Sequence, residues 1–510
     1  MVFKLPAKDP NPLMDGNYQT DVFNRNPLFK IDFKNKNKSC FVRDWGEAFG
    51  LIEKVSFEDI SPKYLAAFIT ENYDMSVSPY KNIKRFKRAR SIQLKNDEVF
   101  NYSKNIIFET SETKYTFKEL SCLVKKEIFN SIEEIVNSNL SNYGIEHSSG
   151  LDSNIILGTL VKGLKISKKE LVTWSSEGMG ELELIKKFRK FYSLYPKNCI
   201  EVKSLENYSN DNYLEIIKIL GFPQQILSSN TPTQDFFKND CKVIFSGFGG
   251  DQAFSHKANN VVTDLVFDLR WLELNSWTQN NYVTAKNILS RFYYRINPEW
   301  ARKRIKKTIM PHSNFLIKFL TPVGKNLLTP FLKERFFPHE LDYFPRLGIS
   351  MRNRILSDWV SIRMEEETRI SKHYNIKKFF PFLNENLISI LVAQDPIFFS
   401  KNINQGRYLA RKTFEKVLPE FLVNNPSKIR NFDLDQYQEK FKPLIKNKIY
   451  DLLSQSFNWN YKINELWDIP VIRDNIYIIL ENKNLDYLKL ISAKKELDKL
   501  HALNLWFNLF

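Results

Sequence analysis

Two short segments carry residue types that bind phosphate and hard cations. The first, Ser148-Ser149-Gly150-Leu151-Asp152-Ser153, follows the strand-like run Tyr143 to Glu146 and leads into Ile155, Ile156, Leu157, Leu160 and Val161. The second, Ser246-Gly247-Phe248-Gly249-Gly250-Asp251-Gln252-Ala253-Phe254, follows Val243-Ile244-Phe245. Small residues let the backbone approach an anion closely, and the first N–H groups of a helix have no partner inside it. Strand, small-residue loop and helix in succession therefore make a phosphate cradle. An aspartate in such a loop cannot hold a phosphate, but it can hold the Mg2+ that bridges phosphate oxygens, so Asp152 and Asp251 are candidates for one Mg2+ site. A short Ser/Gly/Asp loop before a helix is also how an ordinary capped turn reads. Either loop alone leaves both readings open.

For the loops to act together, the surrounding elements must bring them to one place. Leu171-Val172-Thr173-Trp174 and Cys199-Ile200-Glu201-Val202 read as further strands, with helices at Leu182 to Tyr192 and Tyr213 to Leu220. Short apolar runs alternating with helical stretches specify a parallel sheet with helices on its faces. Ligands of such sheets collect at the carboxyl ends of the strands, which puts both loops on one edge. Ahead of the first loop, Leu120, Leu123, Val124, Ile128, Ile132 and Ile135 recur at helical spacing and mark a packing helix. Residues 1 to about 40 lack clear periodicity and read as an extended arm. Ser39 to Asn105 reads as a small α+β unit, with strands near Cys40-Phe41-Val42 and Ser91-Ile92-Gln93-Leu94 and a helix near Pro62 to Tyr73. From His256 to Phe510 the pattern is mostly helical and is expected to wall a pocket, with Phe379-Phe380-Pro381-Phe382-Leu383-Asn384 as an apolar turn ahead of a helix. The expected fold is α/β: a parallel sheet flanked by helices, with a helical C-terminal region. A small α+β N-terminal domain is expected over residues 1–110, ahead of the larger domain over 111–510.

Length and composition bound the partners. At 510 residues the chain exceeds what one core supports, and 43% hydrophobic residues suffice for two domains. Lys and Arg number 75 against 58 Asp and Glu, a net charge of +17 that suits nucleic acid, an anionic membrane or an acidic peptide. Abundant Lys, Asn, Ile and Phe beside only 16 Gly match A/T-rich codons, so compositional bias is weighted above a polyanion partner and no nucleic acid is expected. The basic runs Lys84 to Arg90 and Arg302 to Lys307 read first as solvated faces, with a phosphate or anionic peptide as the alternative. Four cysteines, at 40, 122, 199 and 241, form no CxxC pair and read as reduced core residues. The six histidines lack the spacing of a zinc site, which argues against a zinc hydrolase. Met1 to Pro6 shows no signal-like apolar region, and no stretch approaches the ~18 apolar residues of a spanning helix, so a cytoplasmic chain is expected.

With these pieces in order, the chain resembles the asparagine synthetase superfamily. Its ATP-pyrophosphatase domain, of HUP-like fold, carries Ser-Gly-Gly-x-Asp-Ser and later Ser-Gly-x-Gly-x-Asp, matched here by Ser148 to Ser153 and Ser246 to Asp251. A Pro-Phe-Leu-Asp turn is matched by Pro381 to Asn384, and a Leu-Pro followed by lysine by Leu418, Pro419 and Lys428. Tyr80-Lys81-Asn82-Ile83-Lys84-Arg85 is similar to Tyr-Lys-Gly-Ile-x-Arg near the end of the family's glutaminase domain, so the resemblance spans about residues 40 to 440 and implies a truncated glutaminase-like N-terminal part. Val2 stands where the glutamine-hydrolysing members have cysteine, and Phe248 and Gln252 stand where asparagine synthetases have glutamates. These departures point to the branch that closes rings, the β-lactam synthetases and lasso-peptide macrolactam synthetases. The β-lactam enzymes have tyrosine at the Phe248 position, and Gly247 to Phe254 resembles the lasso-peptide form more closely. Ser149 in place of the first loop's glycine is a further departure.

The resemblance implies an ATP-dependent ligase that adenylates a carboxylate and couples it to an amine, releasing AMP and pyrophosphate. It assigns pyrophosphate and ATP contacts to Ser148, Ser149, Gly150, Asp152, Ser153, Ser246, Gly247, Gly249 and Gly250, and Mg2+ to Asp152 and Asp251. It assigns charge stabilisation to Lys428, and roles near the reacting groups to Phe248 and Asn384. The implied substrate is a ribosomal precursor peptide closed into a macrolactam, with a leader-peptide protease as a possible partner. The alternatives are an amidotransferase using ammonia or a small amine on a small or sugar-linked acid, and a catalytically silent binding partner. A tRNA-modifying ATP pyrophosphatase would suit the charge but needs thiol or zinc pairs that this sequence lacks.

Overall fold

The computed structural model describes residues 11–33, 39–52, 55–71, 74–95, 98–104, 113–138, 140–176, 181–202, 210–224, 232–255, 258–278, 288–290, 293, 297, 315–332, 346–400, 406–424, 434–482 and 487–510. Its strands are β1 (Gly16–Thr20), β2 (Phe29–Asp32), β3 (Ser39–Val42), β4 (Ile83–Arg85), β5 (Arg90–Lys95), β6 (Glu98–Lys104), β7 (Tyr143–Glu146), β8 (Leu171–Ser176), β9 (Cys199–Val202), β10 (Val243–Phe245) and β11 (Lys377–Phe379).

Val243, Ile244 and Phe245 are all buried, as expected of a strand covered on both faces in a parallel sheet. Each such side chain contributes about 1.5–3 kcal/mol when fully buried. Strand β10 indeed lies inside a five-stranded, wholly parallel sheet of order β11-β10-β7-β8-β9. From β7 the chain builds outward through β8 and β9, then returns to the other side of β7 to lay down β10 and β11. Strand order therefore reverses between β7 and β10, whose registers pair Tyr143 with Val243 and Ile145 with Phe245. Ligands of open parallel sheets bind at such a switch point. The helices Leu151–Gly158, Leu182–Phe191 and Asn210–Leu220 make the crossovers, and Phe117–Val136 packs Leu120, Val124, Ile128, Ile132 and Ile135 into the same core.

The architecture is thus mixed α/β with a helix-flanked parallel sheet and a helical C-terminal region. Several expectations are corrected. The supposed arm ahead of residue 40 contains β1 and β2, which belong to two antiparallel three-stranded sheets, β1-β5-β6 and β3-β2-β4. Each strand is only four or five residues long, too short to show a period. The supposed turn at Phe379 begins inside a fifth strand, β11. Of the cysteines only Cys241 is buried; Cys122 is exposed on the outer face of its helix, and Cys40 and Cys199 are half-buried. All four are free thiols. The N-terminal residues close a small cluster of their own around Leu28, Phe41, Ile92 and Leu94, while Phe29, Trp45, Tyr64 and Tyr80 share a larger one with Ile445, Trp467, Leu497 and Trp506 from the C-terminal helices. Among the described residues no helix is long and apolar enough to cross a membrane.

The helix Asp358–His373 bonds both to N-terminal residues and to the parallel sheet. Ser357 caps it by accepting from the Val360 N–H, Asp358 sits in the first turn and Lys372 and His373 in the last, all signs that suit the helix dipole. Trp359, Arg363 and Glu367 recur at four-residue spacing on one face, toward the sheet. Asp358, Ser361, Glu365 and Arg369 lie on the opposite face and bond the N-terminal module. Arg88 donates to Asp358 at 2.6 Å and to Ser361 at 3.0 Å, Arg85 pairs with Glu365 at 2.9 Å, and Arg369 reaches Asp44 at 2.6 Å. The basic run from Lys84 to Arg90 is therefore not simply a solvated face. Arg85 and Glu365 are each 2% exposed, whereas Lys84, beside Asp32, and Lys87 behave as expected and are exposed. The second basic run, 302–307, lies outside the described residues.

Candidate functional site

The loops after β7 and β10 meet at the switch point and line one cleft of about 550 Å³. A cleft of this size is typical of small-molecule sites. The first loop is organised from within. Ser153 Oγ accepts from the Ser148 N–H at 3.1 Å, and the Gly150 N–H donates to Ser148 Oγ at 3.1 Å. Asn154 Nδ2 donates to the carbonyls of Ser148 and Gly150 at 3.1 and 2.8 Å, while its Oδ1 lies 3.3 Å from His147 Nε2. Gly150 is the N-cap of the helix that follows and supplies no side-chain cap to its first N–H groups, unlike an ordinary capped turn. The Ser149 N–H donates to Glu181 at 3.2 Å, and the Ser149 hydroxyl is buried with no partner among the described residues.

The second loop repeats the arrangement. Gly249, at φ +97°, begins the helix Gly250–Phe254 without a side-chain cap, in a backbone conformation that other residues adopt with strain. The two loops touch so closely that a side chain on either glycine facing the first loop would collide with it. A Cβ on Gly247 would lie 2.9 Å from the Ser153 nitrogen, and one on Gly250 would lie 2.4 Å from Asp152 Cγ. Ser246, Gly247, Gly249, Asp152 and Ser153 all line the cleft.

Asp152 and Asp251 do converge, but on a residue that the sequence did not single out. Arg407 Nη1 lies 3.0 Å from both Asp152 oxygens, and its Nη2 pairs with Asp251. Its Nε donates to Ser255 Oγ at 2.7 Å, and that hydroxyl donates to Asp251 at 2.6 Å. Arg407 adopts φ +57° just before the helix Tyr408–Thr413. Nearby, burial and the adjacent Arg407 push the Arg411 guanidinium down to about 10. Among the described residues no three His, Cys, Asp or Glu side chains cluster as a metal site. Two carboxylates are nonetheless compatible with Mg2+, which keeps water and phosphate oxygens as its other ligands.

At the β10 side of the cleft, the Phe248 and Trp359 rings lie tilted to one another with centroids 5.4 Å apart, and the Arg363 guanidinium lies 4.1 Å above the Phe248 ring. Arg363 Nε donates to Glu367 at 2.6 Å. Behind them Lys378, 3% exposed, pairs with Glu367 at 2.5 Å and with Glu146. Burial alone would raise the Glu367 carboxyl, but Arg363 and Lys378 outweigh it and hold it at about 2. Glu146 and Arg363 face the cleft, so this buried chain of charges ends at its wall. At the β8 side lie Trp174, Ser176 and Ile185. The His147 ring, at the base, is held neutral by burial, its pKa pushed down to about 4.

The expected site residues thus divide. Ser148, Gly150, Asp152, Ser153, Ser246, Gly247, Phe248, Gly249 and Asp251 line the cleft, with Ser149 and Gly250 in the same loops. Asn384 is not at the cleft wall: its Oδ1 accepts from the Leu387 N–H at 3.2 Å and its Nδ2 donates to Ser131 at 2.8 Å, which makes it a helix cap tied to a neighbouring helix. Lys428 lies outside the described residues. Arg407, Arg363, Trp359, Glu146 and Glu181 were missed, because one arginine among many carries no local signal. No model of a known protein family matches the chain, and no curated protein sequence does either.

Proposed function

We propose that the cleft binds Mg2+-ATP and activates a carboxylate for attack by an amine, most specifically to close a ring in a ribosomal lasso-type peptide. On this reading the sheet is a HUP-like ATP-pyrophosphatase fold and the chain a member of the asparagine synthetase superfamily. The observation that carries it is the pair of glycine-started helices standing side by side at the β7/β10 switch point over a 550 Å³ cleft. The residues suit the nucleotide: the glycines leave no room for side chains, and cleft-lining His147 and Gln252 each keep a buried polar atom without a partner among the described residues.

When bound, ATP supplies the leaving group a carboxylate lacks at neutral pH, and Mg2+ offsets the phosphate charge. The N–H groups of the two loops would hold phosphate oxygens, and Asp152 and Asp251 would hold the metal in place of Arg407. Displaced from the aspartates, the Arg407 guanidinium would be available as a positive charge for the phosphates. The cleft walls would orient the two reacting ends, a positioning effect worth about 7–11 kcal/mol for well-aligned groups.

The test is carboxylate-dependent ATP–pyrophosphate exchange, together with AMP release on addition of an amine. Asp152→Ala and Asp251→Ala should each abolish exchange in a folded protein. ADP rather than AMP as product would refute the reading. One observation favours a second reading, a silent binding partner: Arg407 already satisfies both aspartates. That reading predicts no nucleotide binding and biological activity that survives both alanine substitutions. Ammonium replacing a peptide amine as acceptor would favour the amidotransferase.

A further inference from the structure

Arg363 occupies an unusual position for a surface-lining arginine. One face of its guanidinium is covered by the Phe248 ring at 4.1 Å, with Trp359 at 5.8 Å. Its Nε edge is taken by Glu367. That leaves the edge formed by Nη1 and Nη2, which has no hydrogen-bond partner among the described residues, on a side chain 25% exposed that lines the cleft. A guanidinium presented by this edge offers two parallel N–H donors in one plane, the geometry that matches a carboxylate bidentately. Its orientation is fixed before any ligand arrives, because Glu367 is itself held by Lys378 and Lys378 by Glu146. Charge in that buried chain is balanced, two carboxylates against two cations, and Arg363 is the cation that the described lining offers an anion, with Asp152, Glu181 and Asp251 lying toward the loops and β8.

We propose that the Nη edge of Arg363, framed by Phe248 and Trp359, is the subsite for the carboxylate of the acid substrate, in the form of an acidic side chain of a peptide. This rests on the reading of the cleft as a carboxylate-activating site, and it assigns the two sides of the cleft: acid on the β10 side, nucleotide over the loops and toward β8. The flanking aromatic rings suit a peptide segment with apolar groups beside the acid, and the in-plane fork rejects the neutral amide, which can accept at only one of its two positions.

Two titrations of the full chain separate this proposal from the reading beneath it. The first follows Mg2+ and a fluorescent N-methylanthraniloyl ATP. The second follows N-acetyl-L-aspartic acid α-methylamide by saturation-transfer NMR, with the corresponding asparagine compound as control. The proposal expects wild type to bind the aspartyl probe and not the asparaginyl one. Arg363→Gln should weaken the aspartyl probe about 10- to 100-fold, the range for losing hydrogen bonds to a charged group. Arg363→Lys, which keeps the charge and the reach to Glu367 but not the fork, should weaken it nearly as much. Nucleotide affinity should change less than about twofold in both variants. Equal aspartyl binding in Arg363→Gln, no discrimination against the amide, or no aspartyl binding by wild type each overturns the subsite. Loss of nucleotide binding in the arginine variants overturns it too, by moving Arg363 to the phosphates. Arg363-dependent aspartyl binding in a wild type that binds no nucleotide leaves the subsite standing and refutes the ATP reading.

Discussion

Replacing Lys378 by methionine tests the buried charges behind the cleft. The ammonium lies between Glu367 and Glu146, with the three side chains 3%, 5% and 19% exposed. Burial lowers the Lys378 ammonium, and the two carboxylates more than reverse this, so its pKa stands above the usual value. Methionine keeps the volume and removes the charge, leaving Glu367 with Arg363 alone and Glu146 with no cation. Removing one partner of a buried pair costs about 3–5 kcal/mol, and Arg363 keeps the expected figure near 3. The pH dependence follows from the direction of the shifts. In wild type the Glu367 pKa is depressed to about 2, so its stabilisation is complete above the unfolded value of 4.5 and is lost only as pH falls from there through 2. Without Lys378, Arg363 alone opposes the effect of burial on Glu367; the expectation is that burial then prevails, so that the ionised carboxylate becomes a cost that protonation relieves. The deficit of the variant should therefore be largest near pH 8 and shrink toward pH 5. Native-state hydrogen exchange across Asp358–His373 and β7 reads it locally, with opening on the order of 100-fold more frequent at pH 8. The Lys378→Met/Glu367→Gln double variant should recover part of the loss. A deficit below about 1 kcal/mol at pH 8, or one that is the same at pH 5.5, would refute the reasoning.

Three further outcomes follow from single contacts. Gly250→Ala places a methyl group 2.4 Å from Asp152 Cγ and must displace that carboxylate from Arg407; fluorescent-ATP affinity should fall about tenfold or more, with far-UV circular dichroism unchanged. Asn384→Ala removes a helix cap and should cost about 1 kcal/mol in urea unfolding while carboxylate-dependent exchange persists; lost turnover at full stability would return Asn384 to the chemistry. His147 should stay neutral down to about pH 4, with its proton on Nε2 facing Asn154, as read by ring nitrogen NMR, and a midpoint near 6.5 would contradict its burial.

What was legible in the sequence is what local chemistry dictates. Small residues breaking an apolar run betray both loops, because only a glycine-rich turn lets two strand ends abut as Gly250 abuts Asp152. The alternation around them betrays the parallel sheet. Strand β11 was invisible because Lys377-Lys378 reads as polar, and Lys378 is buried by virtue of Glu367 and of Glu146, the latter 232 residues earlier. Arg407 is equally silent: its two aspartates lie 255 and 156 residues away, distances at which no spacing rule operates. Arg85 and Arg88 misled in the opposite direction, since a dense basic run signals solvent or phosphate unless the acids that neutralise it are known.

Those neutralising acids give the N-terminal module a structural role. On the helix Asp358–His373, Arg363 and Glu365 point about 200° apart, one toward the cleft and one toward Arg85, Trp45 and Asn24. Rotating the helix by one residue, about 100°, would carry Glu365 and Glu367 away from their cations together, each a buried charge left unpaired at a cost of several kcal/mol. Apolar packing alone sets no such penalty, because neighbouring aliphatic side chains exchange places at small cost. The buried pairs thus act as a register lock more than as a source of stability. Because Trp359 and Arg363 ride on the opposite face of the same helix, the contacts of Arg85, Arg88 and Asp44 fix how the cleft wall is presented. The N-terminal module is then the part of the chain that aligns the β10 side of the cleft.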